Sequence, residues 1–169
     1  MFNVNDTVLY GAAGVCVISD IEKRTVCGKN HSYYVLNSVY RDNSTVLVPV
    51  DNDALVGKMR RVLSKDEIAG IVSEASQNPM SWEEDERLRK EHYKVILSAG
   101  DSLEIVKQMK NIHIHRKELE ESGKKLHLAD ERFLKEALRV IGEEFSLVLK
   151  AEPEDIMNAI VQKFDSESE

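Results

Sequence analysis

The first 58 residues constrain the fold more than any other stretch. They consist of short apolar runs, each about four to eight residues long and closed by Gly, Asn, Asp or Ser. The runs are 4–10, 15–18, 33–40 and 45–50, with 21–27 as a further candidate. Gly11 and Gly14 bracket the first turn, Ser19-Asp20 closes the second run, and Gly28-Lys29-Asn30 and Asp42-Asn43-Ser44 supply the later breaks. β-branched and aromatic residues in such runs are strands joined by tight turns. Five short strands cannot cover both faces of a flat sheet, so the pattern predicts a compact, strongly bent sheet or partial barrel.

Near residue 58 the strand pattern stops and helical periodicity begins. Ser64 followed by Glu67 is a capping box, and Ile68, Ile71 and Val72 form the apolar stripe of the helix it opens. Ser76-Gln77-Asn78-Pro79 is a loop, and Ser81 caps a second helix running to about Leu97. In that helix Leu88, His92, Val95 and Ile96 line the inner side and Arg87, Arg89, Lys90 and Lys94 the surface, with Gly100 as the stop. A third helix begins at Asp101 or Ser102 and buries Leu103, Val106, Met109, Ile112 and Leu119. A fourth starts near Leu128, with Phe133, Leu134, Ala137, Leu138, Ile141, Phe145 and Val148 inward. A fifth starts at Pro153 and carries Ile156, Ile160, Val161 and Phe164, with 165–169 fraying. The reading is an α+β chain: a five-stranded domain over 1–58, then a five-helix domain over 62–165.

Composition excludes several classes. No apolar stretch approaches the roughly 18 residues of a membrane span, and the start lacks the basic and long apolar regions of a signal peptide. Cys16 and Cys27 are the only cysteines and read as small apolar residues in a reducing compartment, so the cytoplasm is expected. The net charge of −7 argues against unaided coating of nucleic acid. Residues 1–58 hold 5 Lys+Arg and 6 Asp+Glu, leaving 18 and 24, a balance of −6, in the remainder. His113 and His115 lie i,i+2 on a helix, about 200° apart, which does not suit a shared metal. No phosphate loop, nucleophile elbow or zinc-protease motif is present, so no catalysis, cofactor or metal is expected.

The opening Phe2-Asn3-Val4-Asn5-Asp6-Thr7-Val8-Leu9-Tyr10 with Gly14-Val15, then 21–25, Tyr34-Val35-Leu36 and 46–50, resembles the CarD/CdnL family of bacterial transcription regulators. Ser98-Ala99-Gly100-Asp101 and the segment 126–137 match that family's helical part in position and pattern. The β module is also similar to the polymerase-binding domain of the transcription-repair coupling factor. The resemblance implies a Tudor-like β domain that binds the RNA polymerase β subunit. It also implies a helical domain that touches promoter DNA at the upstream edge of the melted region and changes open-complex stability, without enzymatic activity. A protein adaptor that never touches DNA is the alternative, favoured by the acidic run at 83–86.

Arg24 matches an arginine of the family's polymerase-contacting surface, and Leu47 stands where some relatives carry a basic residue. An exposed strand edge adds a further mode of docking, with Tyr33, Val46 and Leu47 as its candidates. The lone Trp82 corresponds to a family tryptophan that wedges into the minor groove, but it lies four residues before the usual position, which falls on Glu86. It reads either as a wedge on an extended helix or as a core or staple residue. Arg87, Arg89, Lys90, Lys94, Lys117, Lys124 and Lys125 are the candidate phosphate contacts.

Overall fold

The computed structural model describes residues 1–78 and 80–166, apart from the side chain of Ala12. The chain divides into two compact units, Met1–Val62 and Leu63–Glu169.

The first unit is a five-stranded antiparallel sheet built from β1 (Thr7–Tyr10), β2 (Val15–Val26), β3 (Lys29–Ser38), β4 (Thr45–Pro49) and β5 (Met59–Arg61). A short helix, α1 (Asp53–Val56), precedes β5. The strand order is β4-β3-β2-β1-β5, so the sheet is open, with β4 and β5 at its edges. Val8, Cys16, Ile18, Tyr34, Leu36, Val48 and Met59 form the core on one face, with Phe2, Val46, Val50, Leu55 and Val56 packed against them.

Five strands are present, but not the five that the run lengths imply. Residues 4–6 belong to a turn in which Asn5 has φ 73° and Asp6 N–H donates to the Asn3 carbonyl at 3.1 Å. The runs 15–18 and 21–27 merge into β2, because the ladder passes through Ser19-Asp20 with a register shift instead of turning there. One extra residue is absorbed as a bulge. Ile18 therefore stays opposite Leu36 in the core, while Asp20 falls opposite Val35 on the other face. The fifth strand is Met59–Arg61, which pairs with β1 and buries Met59. The compositional break at residue 58 thus precedes the structural one by a strand.

Cys27 and Gly28 form the two-residue turn between β2 and β3, with φ 50° and 77°. Positive φ at both positions is the twist-matched hairpin turn that favours Asn-Gly, and for cysteine it costs about 1–2 kcal/mol. Cys27→Asn is expected to stabilise this unit by about 1 kcal/mol, read as a raised midpoint in urea unfolding. An unchanged midpoint would mean that the tip is frayed in solution.

The second unit holds α2 (Lys65–Gln77), α3 (Glu86–Ala99), α4 (Ser102–Glu121), α5 (Leu128–Leu149) and α6 (Pro153–Ser166). Ser64 and Glu67 form the expected reciprocal capping box. α3 starts four residues later than a Ser81 cap requires: Asp85 is its cap, accepting from the Arg87 and Leu88 N–H groups. A left-handed Gly100 ends it as expected. Its inner face is Arg89, Tyr93 and Ile96, whereas Leu88 and Val95 are exposed at 42% and 65%. α4 packs against α2, α3 and α5, so polar side chains are enclosed with the apolar ones, including Gln108, Lys110 and Asn111. Leu103 and Leu119, expected inside, are only half-buried. Helix α6 begins at Pro153 and includes Asp165 and Ser166; the rest of the expected frayed end, 167–169, lies outside the described residues.

Two buried carboxylates hold the helices. Glu144 accepts from the Leu63 N–H at 3.0 Å and the Ser102 hydroxyl at 3.0 Å, tying the start of α4 and the residue ahead of α2 to the middle of α5. Asp130, in the first turn of α5, receives Arg89 and Tyr93.

Candidate functional site

The sheet face opposite the core carries a polar and aromatic surface set by register. Arg24 stands opposite His31, Glu22 opposite Tyr33, and Asp20 opposite Val35. Tyr33 and Val35 face Pro49 and Leu47 in turn. Side chains on one face of a strand alternate with those on the other, so Arg24, Glu22, Tyr33, Pro49, Val35 and Leu47 share this face. The Arg24 Nε and Nη2 both donate to Glu22 Oε2, at 3.0 and 2.8 Å. His31 Nδ1 lies 3.0 Å from Asp51 Oδ2, and that contact holds the Asp51 carboxyl below its usual range. Both are exposed pairs, which contribute little to stability and are readily exchanged for partner contacts.

β4 is a free edge, and the ladder fixes which of its groups point outward. Ser38 N–H donates to the Ser44 carbonyl at 3.0 Å and Val50 N–H to the Ser32 carbonyl at 2.9 Å. Antiparallel bonding engages alternate residues. Residues 44, 46, 48 and 50 therefore turn their backbone groups to β3, leaving Thr45, Leu47 and Pro49 to turn theirs outward. Pro49 has no N–H, which suits an edge position, so the outward donors are those of Thr45 and Leu47. Of the expected edge residues, Val46 and Leu47 lie on β4, but the Val46 backbone faces inward and its side chain packs on the core. Tyr33 is not at an edge: β3 has β2 on one side and β4 on the other, so Tyr33 contributes only its side chain.

In the helical unit the candidate cations separate into distinct groups. Arg89 is not a surface residue. It is 4% exposed, gives Nε and Nη2 to the two Asp130 oxygens at 2.9 and 3.1 Å, and gives Nη1 to the carbonyls of Glu83 and Glu84. Tyr93 donates to Asp130 Oδ1 at 2.7 Å, and burial with that bond pushes its phenol well above the usual tyrosine range. The phenol therefore remains a donor. Lys110 is also buried, with its ammonium on the Ser76 carbonyl.

Arg87, Lys90 and Lys94 are exposed on α3. Arg87 pairs with Glu91 at 3.7 Å and Lys90 with Glu86 at 2.5 Å. Lys117 shares Asp165 with His113, and these contacts, Lys117 first, hold the Asp165 carboxyl below its usual range. Lys124 and Lys125 are exposed between α4 and α5.

Trp82 lies ahead of α3 in a non-helical segment, so it does not extend that helix by a turn. Its ring stacks on His115 with centroids 3.8 Å apart and planes 19° apart, and the Arg89 guanidinium sits 4.7 Å from its centroid. The half-buried ring fits the core or staple reading in these contacts. His113 and His115 diverge to Asp165 and Trp82.

The residues missed in the sequence are Asp130, Glu144 and Pro49. Asp130 resembles an ordinary first-turn acid and Glu144 a surface glutamate, and only the Pro49 ring, which forbids a central strand position, was a readable signal. No described helix is long and apolar enough to cross a membrane. Residues 2–63 match the family model of the CarD-like/TRCF RID domain, which coincides with the sheet unit.

Proposed function

We propose, from the premise that the N-terminal unit belongs to the CarD-like/TRCF RID family and is therefore an RNA polymerase-interacting domain, that this chain is a non-catalytic transcription regulator. The sheet unit docks on the polymerase β subunit. The helical unit acts at the upstream edge of the promoter bubble and alters the lifetime of the open complex. The observation that carries the docking half is the open β4 edge, with outward backbone groups at Thr45 and Leu47 beside a face bearing Arg24, Tyr33 and Leu47. A strand of the partner pairs with that edge, and the adjoining face supplies selectivity.

Affinity for DNA comes largely through tethering, since a linked second contact needs little strength of its own. This accommodates a helical unit with a charge balance of −8 over Leu63–Glu169. The adaptor reading draws support too: the Trp82 ring is stacked on His115, and Arg89 is enclosed on Asp130 and so offers no surface to a phosphate.

The test uses purified polymerase and a promoter fragment. Arg24→Glu places a carboxylate beside Glu22 and is expected to weaken polymerase binding about tenfold, or about 1.4 kcal/mol, while the unit melts as before. Unchanged binding would remove Arg24 from the docking surface. Wild-type protein is expected to change open-complex lifetime; binding to polymerase without any change in lifetime or upstream footprint would favour the adaptor.

A further inference from the structure

Helices α4, α5 and α6 line a cavity of about 340 Å³. Its walls are one face of each helix, because the lining residues recur at intervals of three or four along every one of them. Met109 and Phe164 are buried in its lining, and Leu134, Met157 and Val161 are half-buried. Leu138 is 37% exposed and opens the cavity to solvent. Two of these side chains are methionines, whose flexible thioethers fit themselves to an apolar guest.

The polar lining groups gather toward one end. The short segment 122–127 joins α4 to α5, and helices so connected run antiparallel. Arg116 and Glu131 therefore lie near that connection, with Met109 and Leu138 away from it. On α6, Asp165 meets His113 and Lys117, which puts Phe164 at the polar end and Met157 at the other. Lys135 stands on α5 one turn beyond Glu131. His113 and Lys117 are committed to Asp165, but Arg116 and Lys135 hold no ion pair among the described residues. Glu131 is the one acid among the described lining residues, and it pairs with neither cation. This end thus carries an excess of positive charge within a unit whose overall balance is −8.

Shape and polarity together select the guest. An apolar cavity with a few convergent polar groups is the usual form of a small-molecule site. The backbone groups of the walls are bonded within their own helices, so an extended peptide laid there would leave its amides unpaired. A helical guest, about 10 Å across, is too wide. A saturated chain has neither difficulty. A methylene takes about the room of a water, about 30 Å³, so the space holds a chain of roughly ten carbons. The two unpaired cations supply partners for an anionic head.

We propose that this cavity binds a medium-chain fatty acid anion, with its carboxylate at Arg116 and Lys135 and its chain running to Leu138 and Met157. The site belongs to the helical unit alone and does not depend on polymerase docking.

The experiment is calorimetric titration of the full-length protein with decanoate, octanoate and decyltrimethylammonium, the last having the same chain length and the opposite head charge. Decanoate is expected to bind once per chain with a Kd of about 100 µM or tighter. Octanoate should bind about tenfold more weakly for the loss of two methylenes. Arg116→Ala/Lys135→Ala should weaken decanoate about tenfold. Leu138→Glu, which sets a carboxylate against the chain, should abolish binding. Glu131→Gln removes a like charge and should tighten binding about threefold, a change that a purely apolar site would not show. Arg116, Lys135 and Glu131 are exposed, so those variants keep the fold.

Decyltrimethylammonium bound as tightly as decanoate would overturn the proposal, because the cations would not be choosing the guest. Unchanged decanoate binding in Arg116→Ala/Lys135→Ala and Leu138→Glu would refute it equally, placing the ligand elsewhere, the larger groove lined by Ile68, Val72 and Ile160 included. Absence of saturable decanoate binding below about 1 mM would show that the cavity is not a fatty acid site.

Discussion

Leu47→Pro is expected to abolish most of the binding to RNA polymerase while leaving the sheet unit folded. Leu47 is at the centre of β4, and the ladder directs its N–H away from β3. Proline there deletes no internal hydrogen bond, and edge strands tolerate it, as Pro49 two residues on already shows. A partner strand pairing with this edge would lose a donor, leave its own carbonyl unmatched and meet the pyrrolidine ring. An unsatisfied buried acceptor costs about 1–3 kcal/mol, so the loss should be roughly 5- to 150-fold in Kd. Leu47→Val keeps the N–H and an apolar side chain and should bind within a few-fold of wild type. Val48→Pro is the opposing control: Val48 is fully buried and its N–H points to β3, so this variant should fail to fold. Equilibrium binding to purified polymerase, with thermal melting of each variant, gives the answer. Wild-type affinity in a folded Leu47→Pro protein would show that the β4 edge is not used, and docking would then rest on the Arg24 face alone.

The same distinction between backbone and side chain explains how much was legible in the sequence. Strand-forming stretches and their polar breaks stood out, because alternation and turn residues act locally. The merging of two runs into β2 did not, since Ser19-Asp20 is a turn signal that the long pairing with β3 converts into a bulge. Met59–Arg61 is too short to register as a strand until β1 is present to pair with it. Among the helices, caps at Ser64, Asp101 and Gly100 and the proline start of α6 were readable, being local hydrogen-bond chemistry. The face of α3 was not. Hydrophobic periodicity favoured Leu88, His92, Val95 and Ile96, and Ile96 is buried, but a buried ion pair turns the helix by about 100°, enclosing Arg89 and leaving Leu88, His92 and Val95 outside. Nothing local distinguishes an arginine that will meet Asp130, 41 residues away, from one that will stay in water. The docking face was legible as individual residues, Arg24 and Leu47 among them, whereas the division of β4 into inward and outward backbone groups required the register.

Arg89→Met is expected to destabilise the helical unit by about 3–5 kcal/mol, the cost of breaking a buried pair by removing one partner. Asp130 is fully enclosed and takes two of its three hydrogen bonds from Arg89, so methionine would leave it with Tyr93 alone. Glu83 and Glu84 would lose the guanidinium that holds their carbonyls, and the Trp82 ring would lose its cation. For a unit of this size the loss corresponds to a fall of roughly 15 °C or more in Tm. Because Trp82 is the sole tryptophan, its emission reports the same event, shifting to the red as the staple loosens. The double variant Arg89→Met/Asp130→Leu removes both charges and should recover much of the stability, since well-packed apolar replacements of a buried pair are often neutral. It should not recover the Trp82 emission, because the carbonyls of Glu83 and Glu84 still lack their donor. A single variant as stable as wild type would mean that Asp130 is hydrated and the pair is not structural. Recovery of both signals in the double variant would show that the segment ahead of α3 is held by Trp82 and His115 without the arginine.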